Sequence, residues 1–103
     1  MKRYRVEVSA QAEADVKEAY AYIKEHGPAD PEKWKAGLLN TFASLQRFPE
    51  RCAAAPEDAH TDVEILQKLY GPFRILFTLH DRVVYVLTVR HGARSFLTDN
   101  DLE

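Results

Sequence analysis

Four basic side chains in the second half of this 103-residue sequence have the types and spacing that could bind an anion: Lys68, Arg74, Arg90 and Arg94. They come from three segments rich in Val, Ile, Tyr and Phe, a composition typical of neighbouring β-strands. A guanidinium group recognises phosphate or carboxylate through paired hydrogen bonds. We therefore predict that these four side chains, together with His91, form the surface that binds a target. The simpler alternative is that arginine on an open sheet face only keeps the sheet soluble.

His91 follows Arg90 directly, and an imidazole with an ordinary pKa of about 6.5 can exchange protons at neutral pH. If the protein cleaved RNA, Arg74, Arg90 and His91 would carry the chemistry, with the arginines stabilising charge at the phosphate. The base would stay undecided among His91, His80 and the acidic groups. No aligned partner for a base can be identified from the sequence, so we favour a structural histidine at a strand end and assign no catalytic residue.

The rest of the composition excludes several classes of function. The formal net charge is −2, so no global cationic field draws the protein to nucleic acid. The four histidines are scattered, and no spacing is typical of a metal site or of a glycine-rich phosphate loop, so we predict neither metal nor cofactor. The single cysteine, Cys52, has no disulfide partner, and no window reads as a signal peptide or a membrane helix. We expect a cytoplasmic protein with no membrane partner.

Two helices are predicted in the first half of the chain. Tyr4 to Val8 alternates like a half-buried strand, and Ser9 then suits the N-cap of a helix from Ala10 to Glu25 that ends at His26-Gly27-Pro28. Asp30 followed by Pro31 begins a second helix, which should end at or just before Phe48 because Pro49 disfavours helix in the residue before it. A buried stripe follows its helical period: Trp34, Leu38, Phe42 and Leu45. So short a turn between the helices predicts an antiparallel hairpin.

Three strands are predicted between Val63 and Arg94, after a loop at residues 49–61 that could hold a turn of helix. They are separated at Gly71-Pro72 and at His80-Asp81-Arg82, which have turn chemistry. The whole chain is then one α+β domain, 1–103, with a short polar tail from about residue 98. Its order is a strand, an antiparallel helix hairpin and a three-stranded antiparallel meander, forming one sheet packed on the helices.

The alternation of the strands predicts which residues share a face. The helices should cover Phe73, Ile75, Phe77, Tyr85 and Leu87, provided that the second turn has an odd number of residues, such as three. The opposite face would then be open and would carry Arg74, Leu76, Thr78, Val84, Val86, Thr88 and Arg90. We expect Arg74 and Arg90 to lie on this one exposed surface, with Arg94 and His91 nearby.

This order of elements resembles the ParE/RelE superfamily of toxins from type II toxin-antitoxin systems. The resemblance is based on four sequence segments: YRVEVSAQAEADVKEAYAYI, FPERC, LYGPFRILF and VYVLTVRHGAR. These segments resemble those of the ParE-like branch, whose members are often called plasmid stabilisation proteins. The resemblance runs from Tyr4 to about Leu97. In that family, basic residues of the central strand and after the last strand lie on the working face, and Arg74 and Arg90 are the positions that match.

The resemblance implies a toxin that inhibits growth by binding DNA gyrase and is neutralised by a cognate antitoxin, with which it would form a hetero-oligomer. The mildly acidic pI fits this better than binding to the ribosome. Two alternatives stay open: a RelE-like, ribosome-dependent mRNA endonuclease, and a non-toxic or decayed interaction module. A partner helix of the antitoxin is expected in the groove between hairpin and sheet, near Trp34, Leu38 and Phe42.

Overall fold

A computed structural model describes residues 3–27, 30–60 and 63–91 of the chain. Five strands and two α-helices follow one another in the order β1 (Arg5–Val8), α1 (Ala10–His26), α2 (Pro31–Ser44), β2 (Ala53–Ala54), β3 (Leu66–Tyr70), β4 (Phe73–His80) and β5 (Val83–His91). Two 3₁₀ helices flank β2, at Pro49–Arg51 and Pro56–His60. The predicted α+β fold is confirmed, and β2 and the two 3₁₀ helices add structure to the segment predicted as a loop.

The two helices begin where their capping residues predict. The Ser9 hydroxyl oxygen accepts a hydrogen bond from the Ala12 N–H at 3.0 Å, and an Asp30 carboxylate oxygen accepts one from the Glu32 N–H at 3.0 Å. These bonds satisfy backbone donors that the first helical turn leaves unpaired. The Ser9 hydroxyl also donates to the Leu87 carbonyl at 2.9 Å, so the same residue ties the start of α1 to the sheet.

Helix α2 ends at Ser44, about one turn earlier than predicted. The N–H groups of the next three residues bond to carbonyls three positions back, over 3.0 to 3.2 Å, so the helix tightens into a 3₁₀ turn before it stops. Phe48 then takes a left-handed conformation with φ 52° and ψ 43°. The chain therefore leaves the helix by a tight turn rather than by running straight to Pro49.

The five strands form one sheet in the order β1-β5-β4-β3-β2. Strand β1 pairs in parallel with β5, and every other neighbouring pair is antiparallel. The parallel pair is reached because the helical hairpin carries the chain from the edge strand β1 across one face of the sheet. The sheet and the hairpin thus form the two layers of the domain.

The turn between β4 and β5 has two residues, Asp81 and Arg82, so the prediction of an odd number is wrong. Their φ values of 49° and 62° are those of a type I′ turn, the form that fits the twist of a hairpin. This register places Val84 and Val86 opposite Leu79 and Phe77, on the helix-facing side of the sheet. The predicted positions of the odd and even residues at this end of β5 are therefore exchanged: Val84 and Val86 are fully buried, whereas Tyr85 and Leu87 lie outside the helix-facing core.

A β-bulge then restores the predicted phase in the second half of β5. The pairing shifts by one residue between Leu76 and Phe77, so that Leu76 lies opposite Thr88 and Arg74 lies opposite Arg90. Without this extra residue, Arg90 would pair with Phe73 and face the helices. The bulge is therefore what turns Arg90 to the outer face of the sheet.

Both faces of the sheet are covered, but unequally. The main core joins the helices to Leu66, Phe73, Ile75, Phe77, Val84, Val86 and Val89. On the outer face, the segment before β3 brings Ala55 and Ile65 against Leu76 and Leu87. The prediction of a fully open outer face is wrong, because this segment covers part of it. Among the described residues, neither helix is both long and apolar enough to cross a bilayer.

Candidate functional site

Arg74 and Arg90 lie side by side on the outer face, as predicted. They are direct cross-strand partners in β4 and β5, because the bulge brings the second half of β5 into register. Side chains paired in this way project from the same side of the sheet. The prediction that both arginines lie on one face of the sheet is thus confirmed, although the turn and the bulge that produce this placement were not predicted.

Arg74 is not exposed, so this part of the prediction is wrong. Only 6% of the residue is accessible to solvent. Its guanidinium donates to both carboxylate oxygens of Glu57, over 3.1 and 2.7 Å, and to the side-chain oxygen of Gln67 over 3.0 Å. The fork geometry of arginine suits such a two-point contact with a carboxylate. An external phosphate would have to displace Glu57 to reach this group.

Glu57 belongs to the second 3₁₀ helix, and the segment around it is held by its own hydrogen bonds. The Ala55 N–H donates to the Ile65 carbonyl at 2.8 Å, and the Ile65 N–H donates to the Asp58 carboxylate at 2.7 Å. Glu57 is itself buried. The hydrogen bonds from Arg74 hold the pKa of this carboxyl below its usual value, against the opposing effect of burial, and the nearby charge of Arg90 adds to the lowering. Glu57 is therefore an ionised, buried partner of the arginine pair.

Lys68 does not join the arginine pair, which corrects the prediction that it would. It lies opposite Ile75 in the β3–β4 ladder, and Ile75 belongs to the helix-facing core. Successive residues of a strand point to opposite faces, so Lys68 and Arg74 project from different sides of the sheet. Arg94 lies outside the described residues. Of the described members of the predicted target-binding set, Arg74 and Arg90 are cross-strand neighbours on the outer face, whereas Lys68 and His91 belong to the helix-facing side.

His91 follows Arg90 in β5, so its side chain lies on the opposite side of the sheet, which faces the helices. Its ring contacts the Phe73 ring edge-on, with ring centroids 5.1 Å apart. It is the last residue of β5 and is exposed. The structure does not place it against the buried Arg74–Glu57 pair, so these residues do not form one compact acid-base site.

A groove of about 460 Å³ runs between α1 and the end of β5. Its walls are five residues of α1 between Gln11 and Tyr22, together with Phe73 and the last four residues of β5. Strand β1 pairs with only the first half of β5, so the second half is paired on one side with β4 and has α1 beside its other edge. There the Asp15 carboxylate accepts hydrogen bonds from the Thr88 hydroxyl and, at 3.0 Å, from the Val89 N–H. The groove combines two acidic side chains of the helix, Asp15 and Glu18, with Arg90 and His91 of β5 and an apolar wall. The lining residue Tyr22 is 66% exposed.

The residues predicted to contact an antitoxin are divided between the core and the surface. Leu38 and Phe42 are buried between α2 and the sheet, so a partner could not reach them without opening the core. This corrects their predicted role in binding an antitoxin and confirms their place in the helix stripe. Trp34 is half-buried and packs against Tyr70 and Phe73, with ring centroids 6.4 and 5.2 Å apart.

Three residues that organise this region were missed from the sequence: Asp15, Glu57 and Gln67. Asp15 and Val89 are 74 positions apart, Glu57 and Arg74 are 17 apart, and Gln67 and Arg74 are 7 apart on neighbouring strands. Asp15 and Glu57 looked like ordinary surface acids of a helix and a loop, and only the register reveals their partners. No group of three or more potential metal-ligating side chains occurs in the part of the chain that the structure describes.

Comparison with known proteins identifies relatives of the whole domain. The model of the family described as the ParE toxin of type II toxin-antitoxin system, parDE, matches residues 6–96. A comparison with curated proteins found no match to the chain.

Several solved structures have a similar fold. A chain of the chromosomal ParDE toxin-antitoxin system from P. aeruginosa superposes with a TM-score of 0.63 at 19% identity, covering 86% of this chain and 96% of that one. A chain of the RelBE2 toxin-antitoxin complex from Mycobacterium tuberculosis gives 0.60 at 22% identity, covering 88% and 93%. A chain of the archaeal RelE-RelB complex from Pyrococcus horikoshii gives 0.59 at 16% identity, covering 89% and 98%. At these identities the likeness concerns the fold.

Proposed function

This chain belongs to the ParE toxin family of type II toxin-antitoxin systems, and we propose that it inhibits growth by binding DNA gyrase rather than by cutting RNA. The proposal takes its target from the ParE-like resemblance of the sequence. It requires a surface for a protein target and no assembled catalytic group.

The observation that favours binding to gyrase over cleavage of RNA is that the Arg74 guanidinium is already hydrogen-bonded to Glu57 and Gln67. A ribonuclease needs an accessible cation at the scissile phosphate, together with a base and an acid around the same phosphorus. Here the central arginine is buried, Lys68 lies on the other face, and His91 points toward the helix layer. This arrangement supports a protein that acts by binding.

Expression of the toxin in cells distinguishes binding to gyrase from cleavage of RNA, if the supercoiling of a plasmid and the ends of messenger RNA are measured in the same culture. Binding to gyrase predicts that plasmid loses negative supercoiling while primer extension on translated messages finds no new codon-linked ends. The matched variant is Arg90→Gln, because Arg90 is half-buried and lies beside Arg74, with Lys17→Gln on the exposed side of α1 as its control. Codon-linked ends that disappear in Arg90→Gln but persist in Lys17→Gln would contradict the proposal and favour the nuclease. Growth that continues unchanged at normal expression would favour a decayed module.

We also propose that a cognate antitoxin occupies the groove between α1 and β5, forming a hetero-oligomer with the toxin. All three similar structures described above are named as toxin-antitoxin systems or complexes. The groove supplies an apolar wall at Phe73 and an exposed aromatic ring at Tyr22. A helix or an extended segment with apolar anchors would complement this surface, with a basic side chain facing Glu18 on α1 and an acidic one facing Arg90 on β5.

Tyr22→Ala tests the groove directly. Removal of an exposed aromatic anchor from an interface costs about 1–2 kcal/mol, so the Kd for the antitoxin should rise about five- to thirtyfold in calorimetry. The control is Leu39→Ala, since Leu39 is also an exposed large apolar residue but lies on α2 outside the groove. Equal affinities for both variants would place the antitoxin elsewhere.

A further inference from the structure

Five of the eight arginines of the chain gather at the end of the sheet where β1 begins, away from the groove: Arg3, Arg5, Arg47, Arg51 and Arg82. All five are exposed. We call this set the arginine patch. None of its members belongs to the target-binding residues predicted from the sequence.

Backbone hydrogen bonds and chain connectivity join the four segments that carry these residues. The Arg5 N–H donates to the Arg82 carbonyl at 3.0 Å, which joins β1 to the β4–β5 turn. The Tyr4 N–H donates to the Gln46 carbonyl at 2.9 Å, which joins β1 to the end of α2 just before Arg47. Arg51 lies in the 3₁₀ helix that follows at once. The arginine patch is thus built on the scaffold and is not a chance run of charge in one loop.

Backbone strain coincides with the arginine patch. Within the described residues, the non-glycine residues with positive φ are Phe48, Asp81 and Arg82, and all three lie at this end of the sheet. The second position of a type I′ turn strongly favours glycine, and an L side chain in the left-handed region costs about 1–2 kcal/mol. An arginine at that position is therefore unfavourable for folding alone. Such strain tends to be kept where the side chain serves another purpose.

Phe48 adds an exposed aromatic ring to the arginine patch. The residue is 44% exposed although it precedes a buried proline. The Arg51 guanidinium lies over the Phe48 ring, 4.2 Å from its centroid. A stacked guanidinium is held in place, so less conformational entropy is lost when it binds an anion.

Acidic groups near the arginine patch neutralise it only in part. Glu7 lies 3.9 Å from the Arg5 guanidinium, and the Asp81 carboxylate lies 3.2 Å from the His80 imidazole. Burial raises the pKa of the Tyr4 hydroxyl, the neighbouring Glu50 carboxylate raises this pKa further, and the nearby Arg82 lowers it. Five guanidinium groups against three carboxylates leave a local excess of two positive charges on a chain whose net charge is −2. The excess is concentrated on one end of the molecule.

We propose that the arginine patch is a second binding surface, which contacts the phosphate backbone of duplex DNA. Guanidinium groups on an exposed, preorganised surface are suited to phosphate oxygens and carry no base specificity. The choice of duplex DNA over RNA rests on the proposed function, because gyrase holds duplex DNA. The toxin would then contact the gyrase–DNA complex through protein and nucleic acid together, and the groove would stay available to the antitoxin.

The test is binding of the purified full-length toxin to a fluorescent duplex of about 20 base pairs, at several salt concentrations between about 50 and 200 mM. The triple variant Arg47→Gln, Arg51→Gln, Arg82→Gly removes three charges of the arginine patch. The matched control, Lys17→Gln, Lys24→Gln, Lys33→Gln, removes three exposed charges from the helices. Each phosphate contact contributes about −0.9 to the slope of log affinity against log salt, so the first variant should lose about two to three units of slope and the control less than one.

Folding is monitored separately, and Arg82→Gly has a diagnostic effect of its own. Glycine relieves the left-handed strain in the turn, so this single variant should raise the Tm while it weakens binding to the duplex. Loss of binding through unfolding would instead lower the Tm. Equal slopes for the two triple variants would overturn the proposal, and so would preferential binding of single-stranded RNA of the same length by tenfold or more.

A gyrase supercoiling assay on the same proteins separates this inference from the proposed function. If the toxin inhibits gyrase and both triple variants bind the duplex alike, the DNA-binding surface is refuted and the proposed function stands. If the toxin leaves gyrase untouched but only the patch variant loses duplex binding, the proposed function is refuted and the surface stands.

Discussion

Replacement of Glu57 by glutamine should destabilise the protein by about 3 kcal/mol. Removing one partner of a buried ion pair costs about 3–5 kcal/mol, because the other charge stays buried without compensation. Glutamine keeps one acceptor for Arg74, and Gln67 still accepts from the same guanidinium, so we expect the lower end of this range. The other carboxylate oxygen of Glu57 accepts a hydrogen bond from the Arg74 guanidinium at 2.7 Å in the wild type. In the variant, the side-chain amide nitrogen would replace this oxygen and would place one donor against another.

Urea unfolding of Glu57→Gln at neutral pH measures this loss. The control is Glu64→Gln, the same chemical change at an exposed glutamate of the same segment, which should stay within about 0.5 kcal/mol of the wild type. The double variant Glu57→Gln, Arg74→Met also removes the charge of Arg74 that Glu57→Gln leaves without a carboxylate, so it should recover part of the lost stability. With the single variant Arg74→Met, the set forms a double-mutant cycle. Equal stabilities of Glu57→Gln and Glu64→Gln would refute the reasoning that the Arg74–Glu57 pair is desolvated and closed.

The same pair predicts a pH dependence. The pKa of Glu57 is lowered in the folded protein from its ordinary value of 4.5, so the unfolded chain binds a proton more readily than the folded one. The stabilisation by the pair is therefore present above about pH 4.5 and is lost as the pH falls through the lowered pKa of the folded state. Glu57→Gln should remove this part of the acid sensitivity, whereas Glu64→Gln should keep it.

Two further substitutions test how the helices are fixed to the sheet. Gly37→Ala should destabilise the protein by about 1–3 kcal/mol, even though alanine favours helix. The new Cβ would clash with the Tyr70 hydroxyl oxygen, which donates a hydrogen bond to the Trp34 carbonyl. An increase in the Tm of this variant would contradict this packing. Asp15→Ala should cost about 1–3 kcal/mol in urea unfolding, because the Val89 N–H loses its acceptor. Glu18→Ala, one turn along α1, should cost little, and equal losses would argue against a role of Asp15 at the strand edge.

Local signals predicted much of the fold. Ser9 and Asp30 cap the helices where their side chains suggest, and the apolar stripe of α2 packs on the sheet through Leu38 and Phe42. The strand β4 has the predicted face toward the helices. These features depend on residues a few positions apart, where capping, helical period and strand alternation act directly.

The register of β5 could not be predicted in the same way. Glycine is the usual second residue of a two-residue turn of this type, and Arg82 stands in its place, so the sequence favoured a longer turn. The bulge near Leu87 carries no comparable local signal. The shorter turn and the bulge each shift the strand by one residue in the same direction, and a total shift of two residues returns the same side chains to the outer face. The placement of Arg74 and Arg90 on one face was therefore predicted correctly for an incorrect reason.

The burial of Arg74 was beyond prediction because it depends on a partner 17 positions earlier in an irregular segment. An arginine in a strand between Phe73 and Ile75 has the same local pattern whether it is open to solvent or closed by Glu57. Only the path of the segment before β3 over the outer face decides between these states. That path also pairs Arg74, one of the residues named in the nuclease alternative, with Glu57.

A reconstituted gyrase reaction shows whether the toxin acts by binding gyrase, as we propose. Purified toxin, gyrase, ATP and plasmid should yield less supercoiled product or more linear plasmid trapped on the enzyme, and added antitoxin should reverse the effect. Codon-linked cleavage of messenger RNA in a reconstituted translation reaction, with gyrase unaffected at the same toxin concentration, would contradict the account.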